Sequence, residues 1–151
     1  MQNRTGMVGL LIVLIVALAV LIGPALIPYG PEDMDFMAIL APPSLAHPFG
    51  TDSFGRDVLS RVLLGGRVSL TISFAAILVA AVLGSWIGIL SGYHLGWTDG
   101  VLMRIMDLLF AFPSFILAML LMVLFGFSSV NIIAAIALVY LPIFARIARN
   151  T

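Results

Sequence analysis

Residues 47–71 read HPFGTDSFGRDVLSRVLLGGRVSLT, and five of the chain's fourteen charged residues sit here, between long apolar runs that hold almost none. The stretch opens with the turn Pro48-Phe49-Gly50 and closes with Gly65-Gly66, both of them loop punctuation. Between them a short helix fits, over about 53–64. Phe54, Val58, Leu59 and Val62 fall on one side at three- and four-residue spacing. Asp57 precedes Arg61 by four positions, the favourable order for a helix ion pair. Asp52 or Ser53 is the expected cap, since either side chain accepts from the free N–H groups of a first turn. An amphipathic helix of about three turns, wedged between apolar segments, is expected at a membrane surface.

The composition around this stretch points the same way. The chain of 151 residues is 62% hydrophobic and 9% charged, against about 25% charged in a soluble domain. Its mean hydropathy is +1.21. That deficit is too large for a water-exposed surface, so membrane lipid is the expected solvent. A formal net charge of zero argues against a nucleic-acid partner. Without cysteine there is no disulfide, thiolate nucleophile or Cys-ligated metal. All seven basic residues are arginine, so a P-loop lysine is absent and Walker-type ATP hydrolysis is not expected. His47 and His94 stand alone in loops, with no second ligand at metal spacing, and are expected to be solvated. No Ser/His/Asp set forms, so no catalytic, cofactor-binding or metal-binding residue is assigned.

An all-α, polytopic membrane protein with four transmembrane helices follows from the apolar lengths. Residues 1–6 are a polar lead. Residues 7–28 supply the roughly 20 apolar residues of a first span. That run exceeds the apolar core of about 7–15 residues in a cleaved signal peptide, and a retained anchor is expected. Residues 29–66 form a loop rich in acid and proline that carries the short helix. The second span covers 67–93, and there Ala76, Ala80, Gly84, Gly88 and Gly92 recur every four positions. Such a thin stripe lets helix backbones approach closely in lipid. Residues 94–98 make a tight connector in which Asp99, just beyond, is expected to cap the next helix. The charge-free run 108–145 is nearly twice the length of one crossing, so two helices share it. The third span is expected over 99–125 with a kink at Pro113, whose missing N–H and ring disturb the preceding turn. A turn at 126–129 leads to a fourth span over 130–148, followed by 149–151. A slight excess of arginine on the side of the termini (Arg4, Arg104, Arg146, Arg149) favours a cytoplasmic N-terminus at 1–6, a cytoplasmic connector at 94–98, and an external loop and turn at 29–66 and 126–129.

Several polar positions also carry a resemblance. Gly50-Thr51-Asp52, Gly55-Arg56-Asp57, Ser60-Arg61, Gly65, Arg67 and Ser69-Leu70, with Trp97, Asp99, Met103-Arg104, Asp107 and Phe112-Pro113, resemble the dipeptide/oligopeptide/nickel class of ABC-importer permeases. Within it they are similar to the dipeptide permease C subunit. The resemblance implies the N-terminal part of a type I ABC-importer permease fold in the cytoplasmic membrane of a bacterium or archaeon. It implies a second permease subunit, two cytoplasmic ATPase subunits and an external substrate-binding protein as partners. Short peptides, nickel or other small solutes would be the cargo, moved by alternating access. The family continues into a cytoplasmic loop with an E-A-A…G pattern and two more spans, so 149–151 would be the approach to that loop. On this reading the chain is expected to be a truncated product, a fragment or one piece of a split permease.

Each candidate site has two readings. Arg104 and Asp107, three apart on one face, read as a structural ion pair or as substrate or gating residues. Pro113 reads as a hinge or as a static kink. Arg56 and Asp57 read as a self-paired surface helix or as a docking contact for the binding protein. For the chain itself the second reading is a small stand-alone helical membrane protein: a channel, an ion-coupled carrier or an assembly factor. The carrier is disfavoured by the lack of internal repeats and of buried coupling charges.

Overall fold

The structure is a computed structural model and describes residues 4–150. Residues 1–3 and 151, at the ends of the expected N-terminal lead and of the final segment, lie outside the described residues. Five helices follow in order: α1 (Arg4–Leu26), α2 (Val58–Tyr93), α3 (Trp97–Ala111), α4 (Ser114–Phe125) and α5 (Ser129–Arg149). Extended structure among the described residues amounts to one isolated bridge, Thr51 to Asp57. α1, α2 and α5 are each long and apolar enough to cross a membrane, and α3 with α4 makes a fourth candidate. The chain divides into two compact units, residues 1–70 and 71–151.

In the first unit α1 carries apolar side chains on all sides, and only Val20 among them is buried. A helix apolar all round belongs in lipid or against other helices. Its last turns meet the start of α2: a Cβ at Gly23 would lie 2.7 Å from Leu63, and one at Gly66 2.9 Å from Val20. Gly65-Gly66 therefore does not end a helix, as the sequence suggested. Gly66 is small so that α1 can approach, and α2 runs on without a break to Tyr93.

The expected separate helix over 53–64 is absent. Residues 53–57 are a turn, and only from Val58 is the chain helical, as the first turns of α2. Asp52 folds back on its own backbone, accepting from the N–H groups of Phe54 at 2.8 Å and Arg56 at 3.1 Å. A short acid that binds N–H groups two and four residues on stabilises a turn in competition with a helix. Neither Asp52 nor Ser53 caps α2. Asp57 does, accepting from the Ser60 N–H at 2.7 Å.

In the second unit α5 is the central element. Met106 of α3 and Leu141 and Ala145 of α5 form a buried cluster, with Ile87, Met103 and Leu109 packed on it. The third span is broken rather than kinked. Phe112 is extended at φ −79°, ψ 135°, Pro113 precedes α4, and α3 and α4 meet at 93°. The residue before a proline is pushed out of the helical region by the ring, so the helix stops one residue early. α4 alone has 12 residues, too few to span a bilayer. At the next turn Ser128 caps α5 by accepting from the Asn131 N–H at 3.2 Å. The Asn131 amide in turn donates to Phe125 O and Gly126 O at 2.7 and 2.9 Å.

Candidate functional site

The polar stretch folds into a small module that closes on itself. Backbone bonds lace residues 35–41 to 51–55: Asp35 N to Gly55 O at 3.1 Å, Leu40 N to Asp52 O at 3.2 Å and Thr51 N to Ala41 O at 3.1 Å; Val58 N to Gly50 O at 3.1 Å closes the second segment on itself. The Thr51 hydroxyl donates to Ala38 O and accepts from Ala41 N. Two glycines make the lacing possible. Gly50 sits at φ +72° with Ala41 O only 2.5 Å from where a Cβ would be, and Gly55 sits at φ +74° against the Asp35 backbone. Left-handed backbone with no room for a side chain calls for glycine at both.

Two carboxylates anchor the module. Asp52 accepts from Arg56 Nε at 2.8 Å and from Arg61 Nη1 at 2.5 Å, besides its two backbone donors. The Arg56 guanidinium also lies 4.7 Å over the Phe54 ring. Partial burial pushes the Asp52 carboxyl up, but the Arg56 and Phe54 N–H groups and the Arg56 guanidinium outweigh it and hold its pKa at about 2. Asp57 is buried, with its side chain 1% exposed, and its second oxygen lies 3.0 Å from His47 Nδ1. Burial pushes its pKa up as well. The Ser60 N–H and His47 overcome that, and the net shift is downward. Ser60 Oγ donates to Tyr29 O at 3.0 Å, and the Tyr29 ring packs on His47 at 4.7 Å.

Three sequence expectations change here. Arg61 pairs with Asp52 and not with Asp57, because Asp57 turns inward to cap α2. Arg56 and Asp57 do not pair with each other. His47 is not a solvated loop histidine but a partner of a buried acid. His94, by contrast, is exposed, with its ring edge-on to Tyr93 at 5.0 Å.

A second polar cluster gathers in the other unit. Arg149 donates to Asp99 through Nε at 2.6 Å and Nη2 at 2.5 Å, and the buried Ser91 hydroxyl donates to the same carboxylate. Asp99 thus does not cap α3. Gly96 stands at that position, without a side-chain cap. Arg146 donates to Asp107 at 2.7 Å and lies over the Phe110 ring at 4.5 Å. The expected Arg104–Asp107 pair is not formed: Asp107 is taken by Arg146, and Arg104 is exposed with no ion pair among the described residues. Arg146 and Arg149, three apart near the end of an apolar helix, with Asp99 and Asp107 eight apart on another, were the signal for this cluster.

The small-residue stripe of α2 lies against α5. Ala76 and Ala80 are fully buried. A Cβ at Gly84 would meet Leu141 O at 2.7 Å, one at Gly88 would fall on Ala145 O, and one at Gly92 would sit 3.4 Å from Arg149 O. Arg67 lies in the first half of α2, exposed. Among the described residues no group of three or more His, Cys, Asp or Glu is placed so as to hold a metal ion.

Comparison with known proteins identifies this architecture. Residues 1–43 match the family described as the N-terminal TM domain of oligopeptide transport permease C. Residues 84–151 match the binding-protein-dependent transport system inner membrane component. The chain is similar to these permeases, has the type I ABC-importer permease fold, and is a multi-pass protein of the cytoplasmic membrane. Within the class it is similar to peptide-transport C subunits. It is 40% identical over 143 residues to a glutathione transport system permease protein of Pectobacterium atrosepticum, covering 94% of this chain and 47% of that one. It is 37% identical over 149 residues to a dipeptide transport system permease protein of Alkalihalophilus pseudofirmus (99% and 49%). To a probable D,D-dipeptide transport system permease protein of Escherichia coli it is 40% identical over 139 residues (92% and 47%). The chain spans about half the length of the curated relatives it matches.

Proposed function

We propose that this chain forms part of the translocation pathway of an ABC importer for short peptides or related small solutes. The observation that carries the reading is the likeness to peptide and glutathione permeases along 92–99% of the chain. Its partners would be a second permease subunit, two cytoplasmic ATPase subunits that hydrolyse ATP, and an external substrate-binding protein. The termini would face the cytoplasm and the loop module the outside. Transport would proceed by alternating access, with the 93° break at Pro113 as the place where one span changes direction. Arg56 and Asp57 serve structure before docking on this reading, since both are already committed inside the module. The Ala76, Ala80, Gly84, Gly88 and Gly92 stripe serves helix packing, because it brings the α2 backbone onto α5.

The test is co-expression of the full reading frame with the neighbouring permease, ATPase and binding-protein genes. Co-purification of the four components, with ATPase activity raised by loaded binding protein, supports the proposal. Recovery of the chain without any of these partners counts against it and favours a stand-alone membrane protein.

A further inference from the structure

The module between α1 and α2 leaves an unusual number of apolar side chains uncovered. Phe36 is 73% exposed, Met37 96%, Leu40 70% and Phe49 58%, and Leu45 is exposed in full. None of these belongs to a helix, so no amphipathic periodicity marks them in the sequence. Contiguous exposed apolar surface on a folded unit marks a contact with protein or membrane.

Their height relative to the bilayer can be read within the first unit. The apolar length of α1 ends at Leu26, and its last turns lie beside Leu63 and Gly66. The hydrocarbon boundary on this side therefore falls near Ser60, whose hydroxyl is tied to Tyr29 O. Tyrosine at that level fits the interfacial aromatic belt. The backbone bonds from 35–41 to 51–55 hold the stretch with Phe36, Met37 and Leu40 within a few residues of the α2 start, and Leu45 and Phe49 lie in the loop between the two bonded segments. A cleft of about 200 Å³ opens at the same joint, lined by Pro24, Pro28, Tyr29, Pro31, Ser60 and Leu64. The loop that carries the uncovered side chains is thus tethered close to the level at which α1 leaves the hydrocarbon. The module's acids Glu32 and Asp33 are grouped ahead of it in the chain, and Asp33 is bound to Gly30 N.

We propose that residues 36–49 rest on the bilayer, with Phe36, Met37, Leu40, Leu45 and Phe49 inserted among the lipid headgroups and first methylenes. The occupant of the patch is lipid and not protein. Two consequences separate this from a docking face. Insertion needs no anionic lipid, because the module supplies acids and its arginines are already paired with Asp52. Insertion also persists when no partner subunit is present, so its outcome is independent of the transport reading.

The absence of cysteine makes the test direct. Single variants Met37→Cys and Leu45→Cys of the full chain carry a nitroxide label in neutral phosphatidylcholine vesicles. Val13→Cys marks the bilayer core and Glu32→Cys marks water. The measurement is label accessibility to oxygen against a water-soluble nickel complex. The expected oxygen-to-nickel ratio at 37 and 45 lies between those of the two markers, well shifted from the Glu32 value. A ratio equal to that at Glu32 overturns the proposal. Protection from both reagents also overturns it, because it places a partner subunit or a second copy over the patch. Should the Met37 variant lose helix content by circular dichroism, the Leu45 variant, whose side chain is fully exposed, carries the test alone.

Discussion

The two polar clusters of this protein are built in opposite ways. In the loop module the partners are close in sequence: His47 with Asp57, Asp52 with Arg56 and Arg61. In the second unit Asp107 meets Arg146 across 39 residues and Asp99 meets Arg149 across 50. The first cluster shapes a turn around a buried acid. The second clips two finished helices together through one open pair, in which Asp107 is 64% exposed, and one half-covered pair, in which Asp99 is 14% exposed. A buried, multiply bonded acid is costly to disturb, because its partners are left unpaired. An exposed pair is worth little. The same residue types therefore act as framework in one place and as adjustable fastening in the other.

That contrast can be broken hardest at Asp57. Asp57→Ala removes the α2 cap and leaves His47 without its partner. A loss of about 2–4 kcal/mol of stability is expected, read as a lower unfolding midpoint in detergent. Asp57→Asn keeps an acceptor and should lose less. Next comes Gly88→Val, whose added carbons meet the Ala145 carbonyl. Forcing α2 from α5 should cost about 1–3 kcal/mol by the same measurement. Acid comes third. Asp52 and Asp57 both have depressed folded-state pKa values, from an ordinary 3.8. Their stabilisation is complete above that value and is lost as pH falls through the folded one, which for Asp52 is about 2. Amide-exchange protection at Asp35, Leu40 and Thr51 should fall between about pH 4 and 2, while Asn131, tied to neutral groups, keeps its protection.

The smallest effects sharpen the other side. Arg146→Ala should cost about 0.2–1 kcal/mol and fade in high salt. Asp99→Ala should lower the midpoint further than Arg146→Ala does, since it also strands the buried Ser91 hydroxyl. At Gly65 an added Cβ meets nothing within 4 Å, so Gly65→Ala should stabilise α2 by up to about 1 kcal/mol. Gly66→Ala, a position away and against Val20, should not.

Much of the helical layout was legible. Charge-free lengths place α1, α2 and α5 because lipid tolerates little else, and Gly126 with Ser128 marks the last turn by ordinary loop and cap chemistry. The family resemblance lay in the same polar residues that later proved to build the loop module. What misled was local pattern. Spacing over 53–64 looked helical, yet Asp52 satisfied turn N–H groups instead, and two glycines with positive φ let the chain double back. Gly65-Gly66 read as a stop, because composition does not show whether a small residue ends a helix or admits a neighbour.

Ion-pair partners were the least legible feature. Asp57 and Arg61, or Arg104 and Asp107, satisfy helical spacing, but spacing only says which partners are near along one helix. Burial of Asp57 and the docking of α5 on α3 offered better ones. From the amino-acid order alone came the membrane as solvent, the apolar lengths and the proline that interrupts the third of them, since each follows from transfer energies and backbone sterics within a short segment. The partners of each charge, and which glycines are contacts, were decided by tertiary structure, because those depend on which distant backbone arrives beside them.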